Sequence, residues 1–174
     1  MEFLSQMHPK IVHYPLALFA VYALLEIIGV LFKKDFFSKS AHLILFLGLI
    51  GAIMAVLTGN SAAEALQHLN KIKSVIPGEA VNAHMEYANY TLWYFAVLLV
   101  LRTFIVLKKN FSNSIKNLFL ILSLIGMLLI YKTGELGGRL VYKFGAGTEL
   151  LRKDLNSEQS AGSYRNKILK EKQE

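Results

Sequence analysis

The chain has no cysteine among its 174 residues. That excludes disulfides, thiolate-held metals, iron–sulfur clusters and the covalent attachment of a c-type haem. Any metal must be held by His, carboxylate or other oxygen ligands, and any haem must be bound non-covalently. Proline is also scarce, with three in all, yet two of them, Pro9 and Pro15, stand at the opening of the first apolar run. There is no G-x-S-x-G, no P-loop and no H-E-x-x-H, so the usual hydrolytic and nucleotide-binding signatures are missing. The N-terminus lacks a basic n-region and an A-x-A-like site, so no cleavable signal is expected.

What is present is apolar. Hydrophobic residues make up 54% and the mean hydropathy is +0.42, while the charges collect between apolar runs long enough to cross a hydrocarbon core, about 20 residues each. The pattern predicts an all-α, integral membrane four-helix bundle over residues 1–151, followed by a polar, disordered tail over 152–174. The expected spans are 12–32, 41–58, 90–107 and 115–131. Residues 59–89 read as a longer polar connection containing a helical piece (61–73) and a Pro77-Gly78 turn, and a glycine-rich segment follows the last span. Four crossings put both termini on one side. The net charge of +7 is read as topology and not as nucleic-acid binding, because Lys33, Lys34, Lys39, Lys108, Lys109 and Lys116 crowd two short loops. On the positive-inside rule those loops face the cytoplasm and the termini face outward.

Two stripes of small residues mark helix faces: Gly48, Ala52, Ala55 and Gly59 in the second span, and Ser123, Gly126, Thr133 and Gly137 in the fourth. Such stripes let membrane helices approach closely, or offer a smooth wall to a flat ligand. Two charges lie within spans. Arg102 is near enough to Lys108 and Lys109 to snorkel toward headgroups, whereas Glu26, with less reach, is expected to pair with Arg102 or a hydroxyl. Trp93, Tyr90 and Tyr94 read as an interfacial aromatic belt.

The candidate site is one end of the bundle. The start of the first span, the end of the second, the start of the third and the end of the fourth share one membrane face. His8, His13, Thr58, Glu64, His68, His84, Glu86, Asn89, Glu135 and Arg139 all fall there; only His42 is at the other end. His13 and His84 each begin a span, on helices that sit diagonally in a four-helix bundle, and facing helices of bundles are where haem and metal ligands project inward. Two neutral imidazoles on opposite helices are what a low-spin b-type haem requires, with Arg139, Lys10 or Tyr142 to meet its propionates. The same residues permit a mononuclear metal held by His13 and His84 with His8, Glu64 or Glu86; for that role His8, ahead of Pro9, would precede the helix and fold back. A third reading is a non-catalytic membrane scaffold in which the histidines are structural.

The opening His8-Pro9-Lys10-Ile11-Val12-His13-Tyr14-Pro15, the Thr58-Gly59 pair, His84 with Asn89, and the closing run from Gly134 to Gly147 (GELGGRLVYKFGAG) resemble a bacterial family of four-span membrane proteins of unknown function. Its pattern opens His-Pro-x-x-Val-His-Phe-Pro and closes Gly-Gly-x-Leu-Val-Tyr, then Gly-x-Gly. The resemblance covers residues 7–148, with Tyr14 where Phe is usual. The matching positions are His8, His13, Pro15, Thr58, Gly59, His84, Asn89, Gly137, Gly138, Tyr142, Gly145 and Gly147. It implies a layout like that of small b-type cytochromes, a place in the bacterial inner membrane, and a Rieske-type or other respiratory redox partner. On that basis the chain is expected to be an electron carrier or redox subunit, not an enzyme in its own right.

Overall fold

The computed structural model describes residues 2–72, 76–108 and 112–148, and among these not the side chains at 2, 35 and 68–72. The tail expected from residue 152 and the His68 side chain therefore lie outside the described residues. Five helices follow in order: α1 (Glu2–Ile11), α2 (His13–Phe32), α3 (Asp35–Ile72), α4 (Gly78–Leu107) and α5 (Asn113–Tyr142). Four segments are long and apolar enough to cross a membrane: Phe3–Phe32, Phe36–Gln67, Gly78–Leu107 and Asn113–Tyr142. The all-α membrane bundle read from hydropathy is the observed fold.

The helices outrun the apolar segments that announce them. Residues 59–72, expected to be part of a polar connection, continue α3, because alanines at 62, 63 and 65 are strong helix formers and Ala63 is buried. The glycine-rich stretch after residue 131 is likewise helical to Tyr142. His8 does not precede a helix but lies within α1. The interruption comes later, at Val12, for a local reason. Pro15 has no N–H to offer the carbonyl of Ile11, four residues back, and its ring crowds that carbonyl. Val12 itself keeps helical angles (φ −60°, ψ −23°), so α1 and α2 form one kinked membrane segment. Gly51 of α3 accommodates the bend; a Cβ there would lie 3.2 Å from Pro15 Cδ.

α2 packs against α3 and α5, and α4 packs against the same two helices, so α2 and α4 face each other across the diagonal of a four-sided bundle. Their rings fill its centre. Phe19 and Phe95 stack with centroids 3.8 Å apart and planes within 6°, and both are buried. The small-residue stripes face inward and receive these rings: a Cβ on Gly48 would sit 2.7 Å from Phe19, and one on Gly126 would sit 2.5 Å from Phe95. Overpacking of this kind costs about 1–3 kcal/mol. Phe95 is fully enclosed and cannot step aside, so Gly126→Ala is expected to lower the thermal unfolding midpoint in detergent. A midpoint equal to that of the parent protein would contradict the packing. Outward-facing Leu31, Phe46, Trp93, Val100 and Leu128 are exposed, as a lipid-contacting surface requires. Tyr94, read as part of an aromatic belt, instead turns inward and donates its hydroxyl to the carbonyl of Leu122 at 2.7 Å.

The two in-span charges meet at this diagonal. Arg102 does not snorkel: it is wholly buried, forms an ion pair with Glu26, and donates from Nη2 to the carbonyl (2.9 Å) and hydroxyl (3.2 Å) of Ser38. Its guanidinium also lies 4.8 Å from the ring centre of Phe119, close enough for a cation–π contact. With no water in the bilayer core, partners of this kind are what make a buried charge tolerable.

Candidate functional site

Helix periodicity decides which histidine reaches the bundle interior. His13 is five residues beyond His8, which on a helix turning 100° per residue is a rotation of about 140°. The two therefore occupy different faces. His8 is half-buried and His13 is exposed. The diagonal pair read from the sequence was His13 with His84; the structure brings His84 against His8 instead, with ring centroids 6.5 Å apart and planes inclined at 69°.

Each imidazole is held in the same way. The ring of His8 lies over Gly59 of α3, and that of His84 over Gly137 of α5. A Cβ at either glycine would fall 2.9 Å from the ring's Cε1, so a side chain at either position would drive the imidazole out of place. His84 Nδ1 is 3.1 Å from the carbonyl of Thr133. A carbonyl only accepts, so Nδ1 carries the proton and donates it, leaving the Nε2 lone pair free. His8 Nδ1 is 3.2 Å from Thr58 Oγ1. That hydroxyl spends its own proton on the carbonyls of Met54 (2.9 Å) and Ala55 (3.1 Å), so toward His8 it acts as acceptor and the same tautomer follows. The Ala55 carbonyl also lies within hydrogen-bonding reach of the His8 ring. Fixing Nδ1–H on a backbone or hydroxyl oxygen is how proteins orient an imidazole whose other nitrogen binds a metal.

Behind His84 the support continues. Thr133 Oγ1 and Thr91 Oγ1 are 2.9 Å apart, and each is tied back to its own helix, to the carbonyls of Leu129 and Tyr87. Thr91 is buried, so α4 and α5 are joined by a polar clasp directly beneath the ring. Sequence reading did not single out Thr91. Its signal is weak, since a threonine in an apolar helix ordinarily bonds back to its own carbonyl.

The other candidates sit at the same end but outside this pair. Asn89, Glu64 and Glu86 are exposed. Arg139 is exposed and donates to Glu135 at 2.5 Å, and Lys132 donates to the same carboxylate at 2.9 Å. Tyr142 is 93% exposed and so lines no interior wall. Among the described residues no group of three or more His, Asp or Glu side chains is placed to hold a metal ion, and of the alternative ligands His13, Glu64 and Glu86 are exposed.

A second apolar cluster closes this end: Ala63, Ile76, Val81 and Leu140, with Phe144 and Ala146 against it. The chain turns back there because Gly145 adopts a left-handed φ of 70°. Its N–H bonds to the carbonyl of Val141 and that of Ala146 to the carbonyl of Leu140, both at 2.9 Å. This is the glycine-terminated helix end expected where the last carbonyls need donors. The closing glycines thus serve to fold residues 144–146 over the helix ends.

These features define a membrane-embedded helical bundle in which two imidazoles, one from each of two diagonal spans, meet near one end. The chain belongs to the predicted membrane protein family DUF2231, which matches residues 5–150 and so includes both histidines and both supporting glycines. No curated protein and no solved structure matches the chain.

Proposed function

We propose that the protein is a small membrane subunit of an electron-transfer system that binds one b-type haem between α1 and α4, with His8 and His84 as the axial ligands. The observation that carries this reading is the spacing of the two rings. With metal–nitrogen bonds of about 2 Å and each ring centre about 1 Å behind its nitrogen, two imidazoles stand about 6 Å apart across one metal and only about 5 Å apart at two corners of a tetrahedron. The value of 6.5 Å suits ligands on opposite faces of a metalloporphyrin and does not suit a tetrahedral zinc site. The proton on each Nδ1 supports the same conclusion, since it leaves Nε2 as the coordinating atom.

His8 and His84 would hold the haem, which would supply reversible one-electron exchange at iron. The residues of this chain do the rest. Gly59 and Gly137 give the imidazoles room, Thr58 and Thr133 aim them, and the apolar cluster of Ala63, Val81 and Leu140 limits access of water from the helix ends. With the basic short loops in the cytoplasm, the histidine end faces outward in the bacterial inner membrane, where a Rieske-type or other respiratory redox protein would exchange the electron.

The test is a reduced-minus-oxidised difference spectrum of protein purified from membranes of cells supplied with a haem precursor. A split α band of a bis-imidazole haem is expected, in a ratio of one haem per chain. A colourless preparation overturns the reading. Colourless protein with bound zinc or copper would favour a metal-binding role, and colourless protein without metal would favour a scaffold.

A further inference from the structure

The two histidines are not an isolated coincidence. His8 and Phe19 are eleven residues apart, as are His84 and Phe95. The glycines beneath them repeat the interval: Gly48 and Gly59 under the first pair, Gly126 and Gly137 under the second. Even the contacts agree in detail, with virtual Cβ distances to Cε1, Nδ1 and Nε2 of 2.9, 3.4 and 3.6 Å at Gly59 and 2.9, 3.3 and 3.6 Å at Gly137. The helix starts follow suit. α1 begins at Glu2 and α4 at Gly78, so each histidine is the seventh residue of its helix, while α3 begins at Asp35 and α5 at Asn113. Tyr14, Leu16 and Phe19 recur as Tyr90, Leu92 and Phe95 at the same offset. The chain is two copies of one helical hairpin, α1–α2–α3 and α4–α5. They are arranged as parallel repeats about a two-fold axis along the membrane normal, one of the repeat arrangements found in membrane proteins.

One pair of equivalent positions breaks the likeness. Eighteen residues beyond each histidine stand Glu26 and Arg102, opposite in charge and paired across the axis. We infer that this pair is a positioning device: it sets the register in which the two hairpins meet, and through it the gap between His8 and His84. The physical need is clear. Lipid gives apolar helices no hydrophobic reason to prefer one register, and two apolar helix faces can slide past each other by a helical turn, about 5.4 Å. Any register that separates Glu26 from Arg102 strands charges in hydrocarbon, where ionised side chains are costly. The charge pair lies about 27 Å along the helices from the histidines, and the stacked Phe19 and Phe95 between them transmit the register. Ser38, which accepts from Arg102, and Lys116 hold equivalent positions in the two hairpins, and both are buried. The first hairpin thus contributes Glu26 and Ser38, and the second Arg102 and Lys116.

What fills the gap rests on the haem reading; the register does not. Because the chain lacks cysteine, spin labels can be attached at Gln6→Cys and Asn82→Cys, exposed and equivalent positions at the histidine end, in the full chain in lipid nanodiscs. Pulsed dipolar spectroscopy of this labelled parent is expected to give one narrow distance. Glu26→Leu/Arg102→Met, which removes both charges and is compatible with folding, is expected to lose that single distance for a broad or split distribution. Exchanging all four residues between the hairpins, as E26R/S38K/R102E/K116S, is expected to restore it. A narrow parental distance in the charge-free variant overturns the proposal, and so does a four-residue exchange that unfolds or stays broad. Colourless parent protein with these same distances defeats the haem reading and leaves the register inference standing.

Discussion

His8→Ala and His84→Ala are each expected to yield membrane-inserted protein that retains no haem, whereas His13→Ala retains it in full. The contrast follows from helix periodicity, which puts residues five apart on different faces. His13 lies only one residue past the break at Val12, yet it faces outward, while His8 meets His84 with centroids 6.5 Å apart. If the two imidazoles hold a haem as proposed, removing either would leave a single protein–iron bond. No nearby side chain takes its place, since Glu64, Glu86 and Asn89 are exposed. His42→Ala, at the opposite end, is expected to be silent. The measurement is haem content per chain, by pyridine haemochrome, alongside membrane yield. Retention of haem by both His8→Ala and His84→Ala, or its loss in His13→Ala alone, would remove the ligand assignment.

The sequence made the class of fold plain because hydropathy over about 20 residues is a direct physical signal of a crossing. It made the ends of the helices obscure for the same reason. Residues 59–72 and 132–142 are too polar for a span, yet they continue α3 and α5, since helix formation there depends on propensity and on burying Ala63 and Leu140. That error propagated into the site. With the first span taken to begin at the apolar onset, His13 looked like the residue at the mouth of the bundle and His8 like a residue outside it. α1 in fact starts at Glu2 and carries His8 inward. The small-residue stripes read as faces for close helix packing or as a wall for a flat ligand, but a stripe does not name what fills it. Only the coordinates reveal that two phenylalanines and two imidazoles do, at the same eleven-residue interval in each half. That interval was present in the sequence all along. It is nearly silent there, because α3 and α5 share little beyond the two glycines, and most identities of α1–α2 with α4 fall on Ala, Val and Leu, which are common in any span. Lys108 and Lys109 mark a nearby headgroup region and so suggest snorkelling for Arg102, whereas the short reach of Glu26 points to the pairing with Arg102 that the structure contains.

Removing one partner of that diagonal pair is expected to have the largest effect on stability. Glu26→Leu leaves Arg102 wholly buried, with Ser38 as a neutral acceptor and no carboxylate in place of Glu26. A guanidinium cannot shed its proton to escape the bilayer. Breaking a buried ion pair from one side costs about 3–5 kcal/mol, whereas replacing both members with apolar residues of similar volume is close to neutral. The single variant Glu26→Leu should therefore unfold well below the parent in detergent, and the double variant Glu26→Leu/Arg102→Met should recover most of the loss. Thermal denaturation followed by circular dichroism distinguishes the cases. If the single variant melts with the parent, Arg102 has found water or a headgroup, and the diagonal pair is not what holds this end of the bundle together. If the double variant melts as low as the single, side-chain packing around Phe119 and Tyr22, and not charge, is what the substitution destroyed.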